Sequence, residues 1–176
     1  METNSSATTI STEGCGQAAA PQKEHAWLQK LVGQWTTQAE CMGPDGQMMK
    51  DQPRGTEVVK PLGDLWVIGE GEGFMPGGGA FSMRITLGFD PLRNRFLGTW
   101  IGSMMASLWV YEGELDSSEK ILTLNAEGPS FADPTKTTKY QDIIELKSDR
   151  ERTLTSRCLG DDGTWTQFMT VTYRRS

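Results

Sequence analysis

The sequence predicts an all-β protein: an antiparallel, up-and-down barrel of about ten strands with one short helix in front. Turn chemistry recurs at short, regular intervals from residue 43 onward, as Gly43-Pro44-Asp45-Gly46, Pro61-Leu62-Gly63-Asp64 and Asp161-Asp162-Gly163 illustrate. Between the turns, apolar and polar residues alternate. Met83, Ile85, Leu87 and Phe89 oppose Ser82, Arg84, Thr86 and Gly88, and Trp165, Gln167, Met169, Val171 and Tyr173 oppose their neighbours. Such alternation marks a strand with one face buried. Helical spacing is confined to the segment ending at Gly33.

Met1 to Gln22 contains one large aliphatic residue, Ile10, among seven Ser/Thr, four Ala and two Gly. It cannot bury enough apolar area to offset ordering entropy, so residues 1–22 are expected to be a disordered tail ahead of one barrel domain, 23–176. After Pro21, Trp27 with Leu31 and Leu28 with Val32 are i, i+4 pairs on one helical face, and Gly33 ends the helix. Strands are then expected at Trp35–Met42, Thr56–Lys60, Leu65–Phe74, Phe81–Phe89, Phe96–Ser103 and Ser107–Leu115. Four more follow at Ile121–Glu127, Thr137–Leu146, Thr153–Leu159 and Trp165–Arg174. A meander with short connections favours closure, which removes exposed strand edges.

Composition narrows the function classes. The 176 residues carry a net charge of −6, which excludes the basic face that nucleic acid or an anionic membrane requires. Leu, Ile, Val and Phe number only 33, so the six Trp and nine Met supply much of the core volume. The longest uncharged run, Phe96 to Tyr111, falls short of the ~20 residues of a spanning helix. Cys15, Cys41 and Cys158 are odd in number and widely spaced, which suits reduced thiols in a cytoplasm, with Cys41 and Cys158 as small core filler. Neither a metal site nor a cofactor is expected.

The ordered chain opens with a short helix followed by Gly33-Gln34-Trp35. This resembles the G-x-W opening of the calycin barrels, the lipocalins and fatty-acid-binding proteins. The resemblance implies that Trp35 plugs the closed end and that a basic residue of the last strand lies across its ring. Arg174 and Arg175 are the candidates, with Arg174 favoured. The string His25 to Trp35 is also similar to an uncharacterised bacterial family with calycin-like barrels. So are Leu87-Gly88-Phe89-Asp90-Pro91, Phe96 to Ile101 and Tyr111 to Asp116. That family is a domain of unknown function, so the resemblance implies a fold and no activity. Gly69 to Pro76 distantly resembles the glycine-rich strand of the haem-binding nitrobindins. The chain has no histidine after His25, and haem would need Met, Cys or Tyr as ligand.

Candidate chemistry is sparse. His25 is the sole imidazole, and no G-x-S-x-G elbow accompanies it, which makes a rim histidine near the closed end the plainer expectation. Glu70 with Glu72, and Glu112 with Glu114, each share a strand face. An inward pair would hold a cation or act as acid and base, whereas an outward pair is ordinary solvated surface. Gly69, Gly71 and Gly73 occupy alternate positions, either leaving room for a ligand or permitting tight coiling under aromatic neighbours, the latter favoured. Met83, Trp100, Met104, Trp109 and Tyr111 are the expected cavity lining; Gly33, Trp35 and Arg174 are the expected structural set.

These features lead to a small apolar or amphipathic ligand held inside the barrel. Two alternatives stand beside it. One is an isomerase or hydrolase using interior carboxylates. The other is a structural barrel without a ligand, its faces covered in a homodimer.

Overall fold

The structure is a computed structural model that describes residues 19–43, 45–49, 53–75 and 77–176. Most of the expected 1–22 tail, Cys15 included, and the turn residues Pro44 and Pro76 lie outside the described residues.

Helix α1, Lys23–Gln29, leads into β1, Gly33–Met42, which carries a two-residue hairpin partner, β2, Met48–Met49. The meander continues through β3 (Gly55–Leu62), β4 (Trp66–Phe74), β5 (Ala80–Asp90), β6 (Arg95–Gly102) and β7 (Trp109–Leu115). It ends with β8 (Ile121–Pro129), β9 (Thr137–Ser148), β10 (Glu151–Leu159) and β11 (Trp165–Arg175). Every strand from β3 onward pairs antiparallel with the next, and β11 pairs back onto β1, closing a barrel in which β2 is only an appendage.

Closure fixes which parity of each strand faces in. Trp35 pairs with Glu57 on β3 and Arg175 on β11, and Thr37 with Tyr173, so these side chains share the inner face. Inward residues near the helix are buried: Trp35, Val59, Val67, Leu87, Phe96, Leu122, Leu124 and Ile144 form one core with Trp27, Leu28 and Leu31. The expected alternation of the last strand holds only in part. A register shift between Ser156 and Arg157 breaks the β10–β11 ladder. Beyond it Phe168, rather than Gln167, meets Tyr140, with ring centroids 6.1 Å apart. An extra residue in one strand moves each following side chain to the other face.

Candidate functional site

The helix seals one end of the barrel. Trp27 packs edge-on against Phe96, at 5.8 Å, and its Nε1 donates 2.8 Å to the Glu119 carbonyl. Trp35 lies beneath, its Nε1 donating 2.9 Å to the Leu31 carbonyl. His25 is buried rather than on the rim. Its Nδ1 accepts 2.8 Å from the Gln22 N–H, so Nε2 carries the proton that goes to the Phe89 carbonyl at 3.1 Å. One ring nitrogen thereby caps the start of α1 and the other ties the helix to β5.

Arg175, not the expected Arg174, covers Trp35, its guanidinium 4.3 Å from the ring centroid. Direct pairing of Trp35 with Arg175 puts both on one face and turns Arg174 outward to Glu151, at 3.1 Å. Arg175 also donates to the carbonyls of Val32, Lys30 and Asp149 at 2.7, 3.1 and 2.9 Å. Two of those carbonyls follow the helix, whose C-terminal end would otherwise leave them unpaired. Gly33 leaves the space: a Cβ there would collide with that guanidinium.

The middle of the barrel is polar. Arg152 and Glu57, both almost wholly buried, form an ion pair from β10 to β3. The Arg152 guanidinium lies 3.7 Å from the Tyr173 ring centroid and 4.9 Å from that of Trp35. Burial pushes the Glu57 carboxyl up, while the Arg152 charge pulls it back. A second cluster joins three strands: Tyr111 and Ser156 each donate a hydrogen bond to one oxygen of the Asp142 carboxylate. Burial holds the Asp142 carboxyl above its usual range and outweighs both donors. Burial first, and the Asp142 charge next, push the Tyr111 hydroxyl up. Tyr173 is pushed up by burial and then by Glu57 and Asp142, so the two clusters feel one another.

The end opposite the helix is different. Ala39, Cys41, Phe81, Met83, Trp100, Trp109, Cys158 and Met169 carry inward parity yet remain half-buried. Water therefore reaches the inner wall here. Trp109 stands edge-on to Tyr140 at 4.7 Å, and Tyr140, Phe131 and Phe168 meet pairwise at 5.1–6.1 Å. A hollow of about 360 Å³ lies at the rim, lined by inward Gly55, Gly73 and Phe81 and by outward Thr56, Glu72 and Ser82, and not by Met83, Trp100, Met104 or Trp109.

Four of the five expected lining residues lie on neighbouring strands with shared parity. Trp100 pairs directly with Trp109 and with Ile85, which places Met83 and Tyr111 two residues along on the same face. Met104 follows β6, its Sδ beside Gly102 and the Trp100 ring. Tyr111 is the exception in depth, buried in the polar cluster rather than at the open wall.

Glu70, Glu72, Glu112 and Glu114 are all exposed. Their parity is opposite to that of the buried Gly71 and Tyr111. Glu70 pairs with Arg84, while Glu112 and Glu114 bracket Arg95 at 3.5 and 2.9 Å. The acid–base reading of these pairs therefore falls, because no member reaches the interior. Among the described residues the interior carboxylates are Glu57 and Asp142. Their signal was present in the pattern: Glu57 shares parity with Val59, and Asp142 with Tyr140 and Ile144. Gly69 and Gly71 serve close packing. A Cβ on Gly69 would stand 2.8 Å from Ile85 Cγ2 and 3.0 Å from Glu57 Oε1.

A family model described as "Protein of unknown function (DUF1579)" matches residues 20–175. No curated protein matches the chain. Among solved structures, the S-type phycobiliprotein lyase CPES from Guillardia theta aligns at 12% identity, covering 89% of this chain and 98% of its own, with a TM-score of 0.57. Two further solved structures align less closely. The redesigned barrel mFAP1 bound to DFHBI is 18% identical, covers 84% and 97%, and has a TM-score of 0.44. EF1p2_mFAP2b bound to DFHBI is 17% identical, covers 86% and 98%, and has a TM-score of 0.45. Likeness at such identity is likeness of fold, and fold does not carry function. Among the described residues no helix is long and apolar enough to cross a membrane.

Proposed function

Because the chain belongs to DUF1579, a family of proteins of unknown function, any activity must be argued from the site itself, and we propose that the open end of the barrel binds one small amphipathic molecule. The supporting observation is the gradient along the inner wall. On β6, Phe96 is 1% exposed whereas Trp100, at the same parity, is half-buried. β1 and β5 run the same way, from Trp35 to Cys41 and from Leu87 to Met83. Flexible methionines and large aromatic faces suit an apolar guest of irregular shape. Met83, Trp100, Met104 and Trp109 contact its apolar body. Tyr111 lies deeper, where the Asp142 cluster sets the polarity of the floor.

Glu57 is neutralised by Arg152 and Asp142 is bonded to two hydroxyls, so both carboxylates serve the barrel's interior rather than acid–base chemistry. Cys41 and Cys158 are unbridged thiols, which suits a reducing cytoplasm.

The test is a fluorescence titration with 1-anilinonaphthalene-8-sulfonate, read in the wild type, Trp100→Ala and Ile101→Ala. Ile101 is the outward neighbour of Trp100 and is exposed. Saturable binding at one probe per chain, weakened at least about tenfold by Trp100→Ala and untouched by Ile101→Ala, is the expected result. Equal binding in all three proteins places the probe on the outer surface and sinks the proposal.

A further inference from the structure

Cys41 stands on β1 directly opposite Met169 of β11 on one side and Met49 of β2 on the other. Directly paired residues of antiparallel strands carry their side chains on the same face, with Cβ atoms about 4.5–5.5 Å apart. The register therefore lines up thioether, thiol and thioether in a row across three adjacent strands. The row has inward parity, because Trp35, Thr37, Ala39 and Cys41 alternate along one face of β1 and Trp35 is buried in the core. All three residues are half-buried, so solutes reach them. The Met49 Sδ rests by the backbone of Gly43, 2.9 Å from where a Cβ would stand, so the glycine is what leaves that sulfur its place.

We propose that Cys41, Met49 and Met169 bind one soft monovalent cation of the Cu(I) class. Thiolate and thioether donors select Cu(I), whereas carboxylate and carbonyl donors suit hard cations. Among the described residues no group of three or more His, Cys, Asp or Glu could hold a metal ion, so the sulfur row has no hard-donor site to compete with it. Coordination replaces the Cys41 S–H bond by an S–metal bond and releases one proton to solvent. The two thioethers donate as neutral ligands. A monovalent cation and one thiolate make a neutral unit, which a half-apolar wall accepts more readily than a net charge. Methionine's three rotatable bonds let both sulfurs turn to one ion from fixed strands. Cys158 is outside the row, on β10 opposite Tyr140 and Thr166. The site does not depend on the amphipathic ligand proposed above.

The test uses the full chain with Cys15→Ser and Cys158→Ser, kept reduced and labelled with ¹³C at the methionine methyls. It is titrated with Ag(I), a stand-in for Cu(I) that does not change oxidation state. One ion per chain is expected, with the Met49 and Met169 methyl resonances shifting in step and those of Met104 and Met105 staying still. Cys41→Ser abolishes binding. Met169→Leu keeps the volume and weakens binding about tenfold or more, a lost ligand costing no less than an outer-shell partner. Melting curves of each variant separate a lost ligand from a lost fold. Ag(I) held by Cys41 with both methyls unmoved, or unchanged affinity in Met169→Leu, overturns the site.

Discussion

Trp35 is held by a hydrogen bond to Leu31, by the helix above it and by two guanidinium groups, Arg175 and Arg152. Truncating so large a buried side chain costs about 3–5 kcal/mol. Trp35→Ala is therefore expected to lower the urea midpoint steeply, to the edge of unfolding at body temperature. The two terminal arginines should behave unequally. Arg174→Ala removes an exposed ion pair worth about 0–1 kcal/mol. Arg175→Ala removes three hydrogen bonds and a cation–π contact, so its melting temperature falls the further of the two. Equal melting temperatures would mean that the Trp35 contact contributes nothing. Glu57→Ala leaves Arg152 charged and buried, at a cost of about 3–5 kcal/mol, whereas Glu57→Leu with Arg152→Met removes both charges and recovers most of it. Chemical denaturation of the single and double variants decides this.

The strands show why small residues recur on the inner face. β4 presents Gly69 and Gly71 to an interior already filled by Glu57, Ile85 and Met83. The favoured coiling-and-packing role of these glycines follows from that crowding, and the space they leave belongs to neighbouring side chains rather than a guest. Gly69→Ala forces the new methyl group against Ile85 and the Glu57 carboxylate. It should destabilise by about 1–3 kcal/mol, the usual cost of overpacking. A melting temperature unchanged from wild type would show that Glu57 has room to move. Gly128, on β8, plays the same part beneath the Trp109 ring. There β8 pairs with β7 only from Leu122 to Asn125, and the indole covers the strand beyond.

At the scale of the whole molecule, the polar belt couples stability to pH. The folded chain holds the Asp142 proton more tightly than the unfolded chain, because its carboxyl is raised above 3.8. Stability from this group is therefore greatest at low pH and falls as pH rises from 3.8 through the raised value. Glu57 adds a slope of the same sign above 4.5. Asp116 acts oppositely: its hydrogen bonds, that from Ser118 foremost, depress it to about 2, so its contribution is present above 3.8 and is lost as pH falls towards 2. Asp142→Asn should flatten the decline of melting temperature on the alkaline side of 3.8 and leave the acid limb in place. A decline of unchanged steepness would mean that Asp142 titrates normally in the folded chain.

The helix, the strand count and the inward faces of β5 and of β11 after its register shift were legible in the residues alone. Turn chemistry and alternation are local, and each strand carries its own copy of the signal. The G-x-W opening likewise placed Trp35, since a tryptophan at that position has few other places to go once the helix covers it. Other features needed the closed barrel. Whether Arg174 or Arg175 meets Trp35 depends on the register between the first and last strands, more than a hundred residues apart along the chain. Glu57, Arg152 and Asp142 are single charged residues in strands that also carry outward charges. Their own parity marked them as inward, but burying each demands a partner on another strand: closure through β11 and β1 brings Glu57 to Arg152, while the β9–β10 hairpin sets Ser156 beside Asp142 and Tyr111 reaches it from two strands away. The row of Met49, Cys41 and Met169 is of both kinds: a local hairpin sets Met49 beside Cys41, and Met169 joins them only when β11 pairs back onto β1.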